Sequence, residues 1–173
     1  MGILICGLNG TGKSTLGKDL AEKLGYRFID NEDLFFPKEN DEYEFANPRS
    51  KQEVITILEN MISRDSRFVF AAVKGNYGDK FIYALESIIL IEVPRQERHK
   101  RVRERSYRKF GDRMKEGGDL FDKENHRLSI VDGRSEAYVT RWLEGVRCPV
   151  IKIDGTLPVS QNVEYLVSVL KSE

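Results

Sequence analysis

Nine residues near the start of the chain, Gly7-Leu8-Asn9-Gly10-Thr11-Gly12-Lys13-Ser14-Thr15, constrain its fold more than any other stretch. They fit the phosphate-binding P-loop pattern G-x-x-x-x-G-K-[ST] and follow an apolar run, Ile3-Leu4-Ile5-Cys6. A strand therefore delivers the chain to a glycine-rich turn whose backbone N–H groups converge on phosphate oxygens. The helix that begins there adds its positive dipole end. Leu16, Leu20 and Leu24 fall on one face of that helix, and Gly25 is placed to end it. Tyr26-Arg27-Phe28-Ile29 reads as the next strand, so the chain opens as a strand, P-loop, helix and strand.

At 173 residues with 40% hydrophobic content the chain is long enough for one well-buried core and short for two domains. We expect one domain over 1–173, without a membrane span. The N-terminus has no basic region before its short apolar stretch, and the P-loop starts too early to leave room for a leader, so a cytoplasmic location is expected. Net charge is zero, which gives no global attraction to nucleic acid or to an anionic membrane. Its distribution is uneven. Residues 95–115 hold ten Lys/Arg against three Asp/Glu, whereas residues 30–44 hold seven acids against one lysine. Two cysteines, Cys6 and Cys148, make no disulfide framework and read as core residues. His99 and His126 stand alone, so no zinc site is expected.

Taken in order, Ser50 and Glu53 form a capping box, and Val54, Leu58, Met61 and Ile62 line a helical face through about residue 63. Arg67 to Val73 predicts a strand that ends at the turn Lys74-Gly75-Asn76-Tyr77-Gly78. A short helix is expected over 79–86, then a strand over Ser87 to Val93 whose unbroken apolar core implies cover on both faces. A long polar helix follows Pro94. The glycines at 111, 117 and 118 suggest a mobile segment or lid, bounded at about 106–133. A helix over about 134–145, with Trp142 in the core, a fifth strand over Val150 to Ile153 and a last helix complete the chain. Alternating strands and helices predict an α/β fold of three layers, a doubly wound five-stranded parallel sheet with a helical lid. Ligands then bind beyond the carboxyl ends of the strands, where Gly7, Asp30, Lys74-Gly75, Arg95 and Asp154-Gly155 stand.

Leu90-Ile91-Glu92-Val93-Pro94 followed by Arg101-Val102-Arg103-Glu104-Arg105 resembles the strand, proline and R-x-x-x-R helix that lead into the lid of the small P-loop kinases: adenylate kinase and its relatives, shikimate kinase and gluconate kinase. The resemblance covers nearly the whole chain in order of elements. It implies a nucleoside-monophosphate-kinase-like P-loop fold that moves the γ-phosphoryl of ATP, assisted by Mg²⁺, to a small acceptor. Gly7, Asn9, Gly10, Thr11, Gly12, Lys13, Ser14 and Thr15 would cradle the donor, with Lys13 on the γ-phosphate and Ser14 on Mg²⁺. By the same likeness Arg101 would lie against adenine, Arg105 would reach the phosphates, and the turn at Gly155 would meet the base through its backbone. A guanidinium is suited to both roles, since it stacks on a ring and holds phosphate oxygens bidentately. Asp30 lies seventeen residues after Lys13, a spacing similar to that of the first acid in shikimate kinase, and is the candidate catalytic acid and Mg²⁺ partner. It also reads as a helix N-cap, and Asp33 is left between cap and substrate ligand. Arg113, Arg134 and Arg141 are further candidates on the return side, the last two on one face of one helix.

Departures from that family bear on the acceptor, whose segment is placed at about 31–66. Where adenylate kinase relatives carry an arginine after the third strand, this chain offers Lys74-Gly75-Asn76. The acids Asp30, Glu32, Asp33, Glu39, Asp41, Glu42 and Glu44 suit a hydroxylated or cationic acceptor better than a nucleoside monophosphate. Two other classes compete with a kinase: a nucleotide-binding or hydrolysing regulatory module without a small acceptor, and an RNA-binding ATPase using the 95–115 patch. The second fits poorly with zero net charge and no aromatic stacking motif. The expected partners are ATP and a small molecule, with the chain a monomer or homodimer.

Overall fold

The computed structural model describes residues 1–37 and 43–171. Glu39, Asp41 and Glu42 of the expected acidic acceptor segment lie outside the described residues.

Five strands form one parallel sheet: β1 Gly2–Cys6, β2 Arg27–Asp30, β3 Phe68–Ala71, β4 Leu85–Glu92 and β5 Val150–Asp154. Their order is β2-β3-β1-β4-β5, the doubly wound arrangement expected. β1 is central, flanked by β3 and β4 and buried at all five positions, which is why its residues run apolar without alternation.

Helices cover both faces. On one, α1 (Lys13–Leu24) and α8 (Val159–Leu170) lay Leu16, Leu20, Val163 and Leu166 on Ile3, Ile5, Val69 and Ile89. On the other, α3 (Lys51–Arg64), α4 (Asp79–Tyr83) and α7 (Ala137–Leu143) bury Val54, Leu58, Phe81 and Val139 against Leu4, Phe70 and Ile88. The loop after β1 leads to the first face and the loop after β3 to the second, and these loops diverge at the β1/β3 boundary. A crevice must open there, at the carboxyl end of the sheet. Gly7 N–H donating to Val73 O at 3.2 Å marks its floor.

Local chemistry sets several ends as expected. Gly25 caps α1 with a positive φ of 68°, and Ser50 with Glu53 forms the capping box of α3. Two helices end differently from the sequence expectation. The short helix after Gly78 stops at Tyr83, because Leu85 is buried and joins β4 beside Gly2. The helix expected over about 134–145 is only α7, because Arg134 and Ser135 form the link after α6 (Phe121–Asp132). Arg134 and Arg141 therefore do not share a helix.

The segment expected to be mobile or a lid contains a 3-10 turn, Gly111–Met114, and α6, following the long α5 (Arg95–Phe110) and joined to it by buried polar contacts. Glu124 is 0% exposed. It accepts hydrogen bonds from Tyr43 Oη at 2.7 Å and Arg127 Nε at 2.9 Å, while Arg127 Nη2 also donates to Ser106 Oγ at 2.8 Å. Burial pushes the Glu124 carboxyl up, but hydrogen bonds from Arg127, Ser106 and Tyr43 outweigh it and hold it below the ordinary range. This cluster ties α6 to α5 and to the loop before α3. Glu124→Ala would leave a buried guanidinium without its carboxylate, and we expect urea unfolding to report a loss of about 3–5 kcal/mol.

Candidate active site

At the carboxyl end of β1 the chain turns through the P-loop. A Cβ on Gly10, whose φ is +84°, would stand 2.4 Å from Arg98 O, so only glycine lets the loop lie against α5. Gly12 differs: its φ is +92°, and a Cβ there would meet nothing within 4 Å. The space over Gly12 is open, as a loop that admits phosphate requires. Thr11 Oγ1 donates to Leu8 O at 3.0 Å and Lys13 Nζ donates to the same oxygen at 2.9 Å, bracing the loop from within.

The loop lines a cleft of about 240 Å³ with Lys13, Ser14, Asp30, Arg101 and Arg105 on its walls. Burial lowers the Lys13 pKa to about 8 despite the nearby Asp30 carboxylate, which acts in the opposite direction, while the Arg105 charge adds to the lowering. Asp30 Oδ1 accepts from Glu32 N–H at 2.9 Å and so caps α2 (Asn31–Phe35). Its Oδ2 makes no hydrogen bond among the described residues. Asp30 thus caps α2 and also stands on the cleft wall. Ser14 and Asp30 on adjoining walls fit Mg²⁺, which takes one or two protein oxygens and keeps the rest of its shell for water and phosphate. Among the described residues there is no cluster of three or more His, Cys, Asp or Glu side chains that suits a metal held by protein alone.

Arg101 Nη1 donates to Gly155 O at 3.1 Å, which brings together the two residues expected near the base. Its Nε is paired with Glu97 at 3.0 Å, and Arg105 Nη2 stands 3.9 Å from Glu32. Much of the 95–115 charge run is occupied elsewhere. Arg98, 2% exposed, donates to Val93 O and pairs with Glu136, Arg103 pairs with Asp132, and Lys115 pairs with Asp112.

A second, larger cleft of about 1020 Å³ adjoins the first, and Asn9, Asn31, Glu32 and Val73 border both. Arg134 reaches its edge and donates to Asn9 Oδ1 at 2.7 Å. Lys74 lines it, but Gly75 is buried against Leu4 and Trp142 and lines neither cleft. Asp33 lies on the exposed side of α2, outside both. Arg113 is also outside both and pairs with Asp119 at 2.6 Å. Arg141 is exposed beside Arg134 and Lys74 in a separate surface depression.

Only part of the expected acidic acceptor half falls among the described residues. Among the described residues, the larger cleft has one carboxylate on its wall, Glu32, against Lys51, Lys74, Lys123, Arg127 and Arg134. Two of the acids clustered in sequence lie away from the cleft wall: Glu44 pairs with Lys109, and Asp33 faces outward. Lys51 and Arg127 escaped the sequence reading because each meets the cleft only through distant contacts. A capping-box helix start such as Lys51 has no local signal for binding.

Residues 3–132 match the profile of the AAA_18 family, described as an AAA domain. The chain belongs to that family. It is 24% identical to the uncharacterized protein YqaC of Bacillus subtilis (strain 168) over 178 residues, covering 98% of this chain and 97% of that protein. Its fold is that of the small P-loop kinases. A gluconokinase from Sinorhizobium meliloti 1021 superposes with a TM-score of 0.55 at 16% identity, over 94% of this chain and 87% of that one. Shikimate kinase from Aquifex aeolicus vf5 gives 0.50 at 15% identity, over 99% and 97%. The described residues include no helix long and apolar enough to cross a membrane.

The lowered pKa of Lys13 carries a pH prediction. Phosphate favours the charged amine, so Lys13 must have a higher pKa with nucleotide bound than the value of about 8 without it. Between those two values binding takes up a proton, and affinity falls by up to about tenfold per pH unit. Calorimetric titration with ATP at pH 8.5 in buffers of different ionisation enthalpy should read that uptake, and Lys13→Met should remove it.

Proposed function

We propose that this chain is an ATP-dependent phosphotransferase that moves the γ-phosphoryl group, assisted by Mg²⁺, to a hydroxyl of a small-molecule acceptor. The observation that carries this reading is the junction of two clefts: one holds the P-loop, Lys13 and Asp30, and the other, larger one shares Asn9, Asn31 and Glu32 with it. A hydrolase needs room only for water beside the phosphate. A cavity of about 1020 Å³ opening on the same point suits a second organic substrate.

ATP supplies the phosphoryl group and Mg²⁺ neutralises charge on the phosphates; the protein binds, orients and shields. P-loop N–H groups and the start of α1 receive phosphate oxygens, and Ser14 would hold the ion directly, with Asp30 helping through water. Lys13 has three donors, one of them on Leu8 O, and directs its charge at the group in transfer. Asp30 orients the acceptor hydroxyl and takes its proton as the new O–P bond forms and the bond to ADP breaks. Arg105, on α5, stabilises phosphate charge, and Arg101, on the same helix, lies against the base beside Gly155. Segment 106–133 acts as the lid over this junction and excludes water.

The test is ADP release by the purified chain with Mg²⁺ and ATP, alone and with nucleosides, nucleoside monophosphates, sugar acids and small alcohols. One acceptor class that raises ADP release well above the basal rate, with a phosphorylated product, supports the reading. ADP release unmoved by every acceptor, with ATP still bound, overturns it in favour of a hydrolysing module.

A further inference from the structure

The P-loop borders more than the nucleotide cleft. Gly10, Gly12 and Lys13 line that cleft, whereas Gly7, Leu8 and Thr11 line a third cavity of about 580 Å³ that shares no lining residue with the other two. Leu8, Leu90, Val93, Pro94 and Val139 give this cavity an apolar wall. Its charged residues are Glu92, Glu136 and Asp154 against Arg98 and Lys152, three acids to two cations and so a net of −1.

Arg98 is buried with its hydrogen bonding incomplete. Nε donates to Val93 O at 3.1 Å and Nη2 to Glu136 at 2.8 Å, but Nη1 is buried and has no partner among the described residues. A guanidinium carries five N–H donors, and burying it with donors unmet is costly. Its one carboxylate holds it loosely: Glu136 reaches Nη2 alone, and the Glu136 side chain is 68% exposed, so it leaves for water at little cost to itself. A carboxylate that enters from the cavity in its place meets both Nη atoms, in the bidentate geometry a guanidinium prefers. The cavity's three acids remain after that exchange and favour a ligand with a positive charge of its own over a bare anion. Glu92 and Asp154, partners in register across β4 and β5, are the acids placed to receive that charge.

We propose that this cavity is an effector site for an α-amino acid with an apolar side chain, its carboxylate on Arg98, its ammonium group on Glu92 and Asp154, and its side chain against Leu8, Leu90 and Val139. Two contacts join the site to the phosphate-binding loop. Leu8 O accepts from both Lys13 Nζ and Thr11 Oγ1, and Arg98 O lies against Gly10. A ligand that bears on Leu8 and Arg98 therefore acts on the residues that shape the P-loop. By linkage, the amino acid and ATP change one another's affinity by the same factor. The inference rests on ATP binding at the P-loop and not on the phosphotransferase reading.

Calorimetric titration of the full chain with phenylalanine, 3-phenylpropionate and phenethylamine compares one apolar body carrying both charges, the anion alone and the cation alone. Phenylalanine is expected to bind at least about tenfold more tightly than either. At saturation it should shift ATP affinity about fivefold or more. Arg98→Met should weaken phenylalanine binding about tenfold or more, whereas Glu136→Ala should keep or strengthen it, because Arg98 loses the carboxylate that the ligand replaces. Thr140→Trp fills the cavity from an exposed position on its wall and leaves Arg98 in place, so it should block phenylalanine with ATP affinity unmoved. Circular dichroism checks that each variant is folded. No phenylalanine binding up to about 10 mM, or a single-charge probe that binds as tightly, overturns the proposal. So does binding that survives Arg98→Met, that is lost in Glu136→Ala, or that leaves ATP affinity unmoved. Phenylalanine binding that shifts ATP affinity, in a chain whose ADP release no acceptor stimulates, leaves the effector site standing and removes the phosphotransferase reading.

Discussion

Lys13→Met is expected to cut phosphoryl transfer by about 10²–10³ in kcat while leaving the protein as stable as before, or more so. The two halves of that expectation come from one observation. Lys13 is enclosed by the P-loop, and burial lowers its pKa to about 8, so its charge is held against a desolvation cost in the folded chain. Methionine has similar length, removes the charge and removes that cost. Catalysis moves the other way, because charge on the transferring group is met by a preorganised donor that water would have to replace. Steady-state ADP release and a thermal melt on the same preparation decide it. A variant that loses activity together with stability points to a collapsed loop rather than a lost charge, and one that keeps kcat removes Lys13 from the mechanism.

Asp30→Asn is expected to lower kcat by about 10²–10⁴ with no change in melting temperature. Asparagine caps a helix as well as aspartate, so the bond from Glu32 N–H to the residue-30 side chain survives. What it lacks is a carboxylate oxygen able to accept a proton, the role proposed for Asp30. Asp30→Ala separates the roles from the other direction, losing about 1 kcal/mol of helix-cap stability in addition to activity. If Asp30→Asn retains full kcat and only Asp30→Ala is impaired, the residue is a cap and the acceptor's proton goes elsewhere.

Much of this molecule was legible without coordinates, for reasons that are local. The P-loop announces itself because glycine is required where φ is positive and where Arg98 O lies 2.4 Å from a Cβ position, so composition and conformation are tied residue by residue. Apolar runs at Ile3–Cys6 and Ser87–Val93 foretold strands, the second one covered on both faces, and alternation with helices foretold the parallel sheet. Pairing Ser50 with Glu53 predicted the start of α3 because a capping box is complete within four residues. The meeting of Arg101 with Gly155, 54 residues apart, came only by likeness to other kinases.

The charges on the second cleft were not legible in the sequence for the opposite reason. A run of acids between residues 30 and 44 looks like an acidic pocket, yet a side chain's charge matters to a cavity only if the fold turns it inward. Lys51, Lys74 and Arg134 come from three separate segments and converge only because α3, the turn after β3 and the link before α7 meet above the same end of the sheet. The sequence alone determined the phosphate-binding loop and the parallel sheet, since short-range sterics and hydrophobic periodicity specify both. The tertiary structure alone decided which charges line the second cleft, because convergence of distant side chains leaves no pattern along the chain.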